Sequence, residues 1–128
     1  MIKYTYEELT KILEDHKLWL NDRTTGKRAD LSGANLENAN LDFADLSYSN
    51  LNNVFLNGAS LENADLGGAN LEDADLSGAR LYEANLYKAN LRDANLSGAN
   101  LFGAYMFKAN LSGVDLRDSI FWENKYND

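Results

Sequence analysis

A five-residue pattern is repeated nineteen times without interruption between Ala29 and Glu123. Each repeat reads small–polar–Leu–any–any, and leucine holds the central position everywhere except at Met106 and Phe121. Alanine stands two residues before the central residue in all but four repeats, which carry Ser49, Val54, Val114 and Ser119. A strict repeat of this kind constrains the fold more than any other property of the chain.

A period of five fits neither a helix nor a flat strand. On an α-helix, residues five apart are rotated by about 140° from one another, so the leucines would be spread around the axis. On a strand, side chains alternate between faces, so an odd spacing would send successive leucines to opposite sides. The pattern therefore predicts a chain that turns once per repeat and winds into a solenoid with leucine and alanine inside.

The repeat resembles that of the pentapeptide repeat family, whose pattern is A(D/N)LXX, and the resemblance covers residues 29–123. It implies an all-β solenoid, a right-handed quadrilateral β-helix with four repeats in each coil. Nineteen repeats would then make about 4.75 coils, and strands stacked about 4.8 Å apart would give a rod about 23 Å long.

Each position of the repeat has an expected role in such a coil. Each central leucine should stack on the central residue twenty positions away, and alanine should fit where the backbone comes close to the axis. Asn and Asp before the leucine should bond to neighbouring backbone groups at the bends, and the asparagines at 50, 70, 90 and 110 should form a ladder along the coil. The glycines at the fifth position, such as Gly58, Gly78 and Gly98, should serve the backbone conformation of a corner.

Residues 1–28 are predicted to form an N-terminal capping helix and turn, because an open solenoid end exposes core and unpaired strand groups. The sequence from Thr5 to Glu8 reads as a capping box, which predicts a helix of roughly Tyr6 to Leu20. We expect Trp19 and Leu20 to cover the leucines of the first coil. A partner-binding helix is the alternative. The predicted cap residues are Thr5, Glu8, Leu9, Leu13, His16, Trp19 and Leu20.

His16 is the single histidine of the chain. It lies on the apolar face of the predicted helix, with no nucleophile or metal-ligand pattern near it in the sequence. A lone histidine in such a position is more often a packed structural residue than a base or a ligand, and we expect that role here.

The C-terminal coils carry aromatic residues at positions that should point outward, and only a short tail, residues 124–128, follows the last repeat. Exposed apolar patches usually mark an interface, so the sequence predicts a two-fold homodimer through the C-terminal coils. Dimers of this kind are also implied by the family resemblance. The alternative is that the aromatic columns stack along the coil and the tail folds over its end. The predicted interface contains Tyr82, Tyr87, Phe102, Phe107, Ile120, Phe121, Trp122 and Tyr126.

Negative charge is concentrated in the first coils of a chain whose net charge is −8. The segment 30–75 has nine acidic residues and no basic one, whereas the rest of the repeats is balanced. This charge disfavours direct binding to nucleic acid or to an anionic membrane and is compatible with solubility or with a basic protein partner. The predicted acidic surface contains Asp30, Glu37, Asp42, Asp45, Glu62, Asp65, Glu72, Asp73 and Asp75.

Motifs for catalysis or cofactor binding are absent from the sequence. The chain has no cysteine, phosphate-binding loop, zinc-ligand spacing or dinucleotide fingerprint, so we expect no enzyme, metal or cofactor. We also expect no signal peptide, no transmembrane helix and a cytoplasmic location.

Two functions remain open from the sequence. The first is a non-catalytic structural or protein-interaction module. The second is a DNA-mimicking regulator or inhibitor of a type II topoisomerase (gyrase), which the resemblance and the acidic first coils suggest. Arg80, Lys88, Arg92 and Lys108 interrupt the acidic surface near the middle of the predicted dimer and count against it.

Overall fold

A computed structural model of the protein describes residues 1–121. One α-helix, α1, spans Tyr6–Asn21. The repeats after it form no long strands. They are joined by isolated parallel bridges between residues twenty apart, from Asp30 with Asn50 to Asn100 with Ile120. Twenty residues, or four repeats, therefore make one coil of the solenoid.

Each repeat contains one tight turn that begins at its central residue. The Ala34 N–H donates to the Leu31 carbonyl oxygen at 3.0 Å, and this bond recurs along the coil. The residue before the bonded alanine has a positive φ, as at Gly33 with φ 67°. A positive φ at the third residue of a four-residue turn is typical of type II turns. The chain thus bends once in every repeat, as the period predicted, and four repeats per coil give the four sides that the family resemblance implied.

The coils are held to one another by backbone hydrogen bonds. The Leu31 N–H donates to the Asn50 carbonyl oxygen at 2.8 Å, and the Asn50 N–H donates to the Ala29 carbonyl oxygen at 3.0 Å. Because each bridging residue uses both its N–H and its C=O in this way, the stack has no place for proline, and the chain contains none.

Polar residues before the leucines close each bend locally, as the sequence predicted. The Asp30 Oδ1 atom accepts a hydrogen bond from the Ser32 N–H at 3.1 Å. This bond is repeated by the Asn or Asp at the same position of other repeats. The predicted asparagine ladder is present between Asn70, Asn90 and Asn110, whose side chains are linked at 3.2 and 3.4 Å.

The core is a column of leucine and alanine inside the coil. Leucines from Leu46 to Leu101 are fully buried, and the alanines from Ala59 to Ala99 that stand two residues before them are at most 1% exposed. Full burial of one leucine side chain contributes about 1.5–3 kcal/mol before chain entropy is subtracted. A continuous core of identical layers gives a rigid scaffold whose four walls carry the variable residues.

The N-terminal segment lies against the first coil. Ile2 forms a parallel bridge with Ala34, and its carbonyl oxygen accepts from the Asn35 N–H at 2.7 Å. The helix begins with the predicted capping box: the Glu8 N–H donates to Thr5 Oγ1, and the Thr5 N–H donates to Glu8 Oε2. Within residues 1–121, no helix is long and apolar enough to cross a membrane.

Candidate interaction surfaces

The N-terminal end of the core is in contact with the segment before the coil. Tyr4, Leu9, Ile12 and Leu13 are partly buried and pack against the core leucines. Trp19 is partly buried, and its ring stacks on that of His16 with centroids 5.7 Å apart. The guanidinium groups of Arg23 and Arg28 also lie over this ring, 3.9 and 6.0 Å from its centroid. The helix residues that pack against the core, Leu9, Ile12 and Leu13, lie about two to three turns before Trp19. Leu20 is partly buried.

His16 joins α1 to the coil and is completely buried. Its Nδ1 accepts from the Ala29 N–H at 2.9 Å, and its Nε2 lies 2.8 Å from the Ser47 carbonyl oxygen. An acceptor at Nδ1 requires the neutral ring with its proton on Nε2. Burial lowers the pKa of His16 below its usual value, since it removes the charged form from water. Both ring nitrogens are engaged, so His16 has the packed structural role that the sequence predicted.

Chemistry-bearing groups do not converge elsewhere in the described part of the chain. Within residues 1–121, no three His, Asp or Glu side chains are placed to hold a metal ion. The acidic residues are divided between turns and wall. Asp30, Asp45, Asp65 and Asp75 bond within their own turns.

Several wall carboxylates contact neighbouring coils. The Asp42 carboxylate accepts hydrogen bonds from the Glu62 N–H and from the Ser60 hydroxyl. The Glu62 Oε1 lies 3.7 Å from Arg80 Nε. The Glu72 Oε1 lies 3.5 Å from Arg92 Nη1. The remaining predicted acidic residues are Glu37, which is exposed, and Asp73, which has φ 59° at a turn. The acidic surface is therefore partly neutralised by arginines from the next coil.

Aromatic columns run along two neighbouring walls of the C-terminal coils, as the spacing predicted. Tyr82 and Phe102 are stacked with centroids 5.5 Å apart and planes 8° from parallel. Tyr87 and Phe107 are stacked at 6.2 Å and 10°. In each pair, parallel stacking covers the face of each ring that meets its neighbour.

Tyr105 is also part of this aromatic surface, although the prediction from the sequence did not include it. Its ring lies 5.7 Å from that of Tyr87 and 6.4 Å from that of Phe107. Tyr105 stands where most repeats have Asn or Asp. That departure from the pattern was the signal that could have identified it. Lys88 and Lys108 lie beside the cluster, 5.3 and 5.6 Å from the nearest ring centroids.

The last described coil leaves part of its core exposed. Its four central residues are Met106, Leu111, Leu116 and Phe121; the first three are partly buried, and Phe121 is 45% exposed. Leu101, directly above Phe121 in the stack, is 0% exposed. Ile120, also predicted at this end, is exposed. The predicted interface residues Trp122 and Tyr126 lie outside the described residues.

The chain winds into a coil around a leucine core, with one tight turn in every five residues. This architecture places it in the class of β-solenoid proteins. The family model described as Pentapeptide repeats (8 copies) matches residues 27–63, 56–93 and 84–122. The chain therefore belongs to the pentapeptide repeat family, as the sequence indicated. Members of this family form right-handed quadrilateral β-helices and are generally structural, non-enzymatic repeat proteins.

Solved structures similar to this chain are also pentapeptide repeat proteins. Rfr23 from the cyanobacterium Cyanothece 51142 is 39% identical, with 80% of this chain and 67% of that chain covered and a TM-score of 0.63. A protein from Nostoc PCC 7120 is 32% identical, with 98% and 90% covered and a TM-score of 0.43. A protein from the Arabidopsis thaliana thylakoid lumen is 33% identical, with 75% and 70% covered and a TM-score of 0.44. Comparison with curated protein sequences finds no match.

Proposed function

We propose that this protein is a non-catalytic interaction module, a rigid coil that presents apolar and aromatic side chains to another protein. The observation that carries the proposal is the apolar surface of the C-terminal coils, where Tyr105 joins the stacked Tyr87 and Phe107. These three rings are half-buried, and with the exposed Tyr82, Ile120 and Phe121 they give the C-terminal coils an apolar surface of the kind that usually marks an interface. In the same proposal, α1 caps the N-terminal end of the solenoid, and the solenoid has about 4.75 coils.

The partner that best fits the C-terminal end is a second copy of the chain. The exposed Phe121 and the partly buried Leu111 and Leu116 are core residues that another coil would cover. A second coil related by a two-fold axis would place the same residues opposite themselves. The column formed by Tyr82 and Phe102 would then lie on a wall next to the interface, not at its centre.

Light scattering on the intact chain tests this proposal. We expect a dimer with twice the mass of one chain, and we expect Phe121→Lys to be monomeric because a buried charge opposes end-to-end contact. Phe55→Lys is the matched control, since Phe55 is a similarly exposed phenylalanine on the wall of an earlier coil. A monomeric wild type at about 100 µM, well above micromolar dimer dissociation constants, would reject the dimer, as would a dimeric Phe121→Lys with native circular dichroism.

A DNA-mimicking regulator of a type II topoisomerase is the second candidate, and the nine acidic residues of the first coils favour it. The arginine contacts count against it. Arg80 and Arg92 lie close to Glu62 and Glu72 and reduce the negative field along those walls. We expect no inhibition or protection in a DNA supercoiling assay with purified gyrase. Clear inhibition that is lost when Asp42 and Glu62 are changed to Asn and Gln would favour this second candidate.

A further inference from the structure

Phe43 is the most exposed large apolar side chain in the described part of the coil, with 76% of its surface open to solvent. Its backbone has φ 63°, a left-handed conformation that is unfavourable for a bulky aromatic residue. The same turn position is occupied by asparagine at 38, 53 and 63. A phenylalanine here therefore combines backbone strain with an exposed apolar ring, whereas asparagine tolerates this conformation and exposes a polar amide.

Packing along the coil does not explain this phenylalanine. The residues below it in the same corner are Asn63, Glu83 and Gly103, so no aromatic column passes through Phe43. Tyr48, at the next corner, is different. Its ring lies over Gly68, where an added Cβ would come within 2.6 Å of the ring. Tyr48 thus packs against the next coil, whereas Phe43 lies beside the helix.

A groove runs between α1 and the first coil next to Phe43. It has a volume of about 410 Å³, and its apolar lining is Leu13, Phe43 and Ala44. Leu13 also packs against the core, so one wall of the groove is fixed to the solenoid. A partly apolar groove with one fixed wall, beside an exposed aromatic residue, is a suitable anchor site for one apolar side chain of a partner.

The charge around this groove is mainly negative. Glu14 and Asp45 line it together with Lys17, and Asp42 precedes Phe43 in the sequence. The groove lies between the segment 1–28, which has six basic and five acidic residues, and the coils from 30 to 75, which have nine acidic residues and no basic one. Its wider surroundings therefore carry a net negative charge. Electrostatic complementarity therefore favours a partner whose apolar anchor is flanked by lysine or arginine.

We propose that the Phe43 groove is a docking site for a basic protein segment that inserts one aliphatic side chain between α1 and the first coil. The proposal rests on the interaction-module function but uses the end of the solenoid opposite to the proposed dimer. The aliphatic side chain contacts Leu13, Phe43 and Ala44, and the flanking cations lie near Asp42 and Asp45.

The test uses the full chain, isotope-labelled, titrated with synthetic pentapeptides and followed by amide NMR shifts. The probe is a lysine pentapeptide with leucine at its centre. Two controls replace that leucine with serine or the lysines with glutamate. We expect saturable shifts at Leu13, Phe43 and Ala44 with the probe, and binding at least about tenfold weaker with either control, because a central anchor and charge complementarity both contribute.

Two protein variants separate a specific groove from general attraction to the acidic wall. Phe43→Asn should weaken binding by about tenfold, and it should fold, because asparagine occupies this turn position elsewhere in the chain. Tyr48→Asn is the matched control and should bind within about twofold of the wild type, as a residue outside the anchor. Equal binding by Phe43→Asn, or shifts spread along the coil, would overturn the proposal. Light scattering of the same samples reports the dimer separately, so failure of one proposal is distinguishable from failure of the other.

Discussion

The Nε2 nitrogen of His16 lies 2.8 Å from the carbonyl oxygen of Ser47. Further down this wall, the equivalent carbonyl oxygens of Gly67 and Tyr87 accept from the backbone N–H groups of Tyr48 and Gly68, at 2.9 and 2.8 Å. A histidine side chain from α1 thus takes the place of a backbone N–H from a preceding coil. Its Nδ1 also accepts the Ala29 N–H, a group that in later repeats bonds to a turn carbonyl.

Removing the His16 side chain should therefore destabilise the N-terminal end. His16→Ala leaves the Ser47 carbonyl and the Ala29 N–H without their side-chain partner and opens a cavity. We expect a loss of about 2–4 kcal/mol in the free energy of unfolding. Urea unfolding followed by circular dichroism measures it. Lys17→Ala, at the exposed next residue of α1, is the control and should change stability by less than about 0.5 kcal/mol. Equal stability of the two variants would contradict this role of His16.

The stability of the protein should also depend on the protonation of His16. Desolvation lowers the pKa of His16 in the folded protein, and Arg28 and Arg23 lower it further, while the bond to Ser47 and the charge of Asp45 oppose this. The unfolded chain, with a pKa near 6.5, then binds the proton more readily than the folded one. The contribution of neutral His16 to the free energy of unfolding is fully present above pH 6.5, the pKa in the unfolded chain. It is lost as the pH falls from there through the lower pKa of the folded protein.

Urea unfolding at a series of pH values between about 7.5 and 5 checks this dependence, a range chosen around the ordinary histidine pKa. Wild type should lose stability on acidification through this range, and His16→Ala should show a flatter curve because it lacks the titrating group. Asp30 and Asp115 also have lowered pKa values, through bonds from Ser32 and Arg117, and that of Asp115 is about 2. Their contributions are lost only at more acidic pH. Parallel curves for the two proteins would contradict the prediction.

The sequence predicted the repeat architecture because each position of the repeat has the same surroundings in every copy. Nineteen copies of one pattern determine the period, the inward leucine and the local bond of the polar residue before it. The helix was predicted from its capping box for a similar reason, since those bonds are local. Helical spacing identified the apolar face of α1 but not which of its residues, Leu9, Ile12 and Leu13 among them, pack against the core. That choice depends on how α1 lies on the coil.

The corner positions show a second limit of the sequence. Glycines at the fifth position indicated a bend, but the structure has a positive φ at this position in every described turn, including Glu83, Lys88 and Lys108. These residues have no preference for the left-handed region. The coil imposes that conformation through its stacking bonds. The exposed Phe43 could not be recognised as unusual until that conformation was known.

A glycine at the fifth repeat position should be replaceable with a loss of unfolding free energy that depends on backbone conformation alone. Gly78 has φ 65°, and an added Cβ would meet nothing within 4 Å. Gly78→Ala should therefore lose about 1 kcal/mol of unfolding free energy, the cost of the left-handed conformation for an L-residue. Gly78→Asn should lose clearly less, because asparagine tolerates this region. Thermal and urea unfolding measure both variants, and a larger loss for Asn than for Ala would show that space, not conformation, limits this corner.

Core truncation should cost more inside the coil than at its C-terminal end. Leu86 is fully buried between the central residues Leu66 and Met106 of the coils above and below, and Leu116 is only partly buried. Leu86→Ala should lose about 3–5 kcal/mol, since rigid neighbours on both sides cannot fill the cavity, and Leu116→Ala about half as much. Urea unfolding at low protein concentration gives the values for the monomer. If the proposed dimer forms, the Leu116→Ala loss should grow with protein concentration, because a second copy then covers this residue, whereas the Leu86→Ala loss should not. A Leu116→Ala loss equal to that of Leu86→Ala at low concentration would mean that the end of the coil is covered by the chain itself.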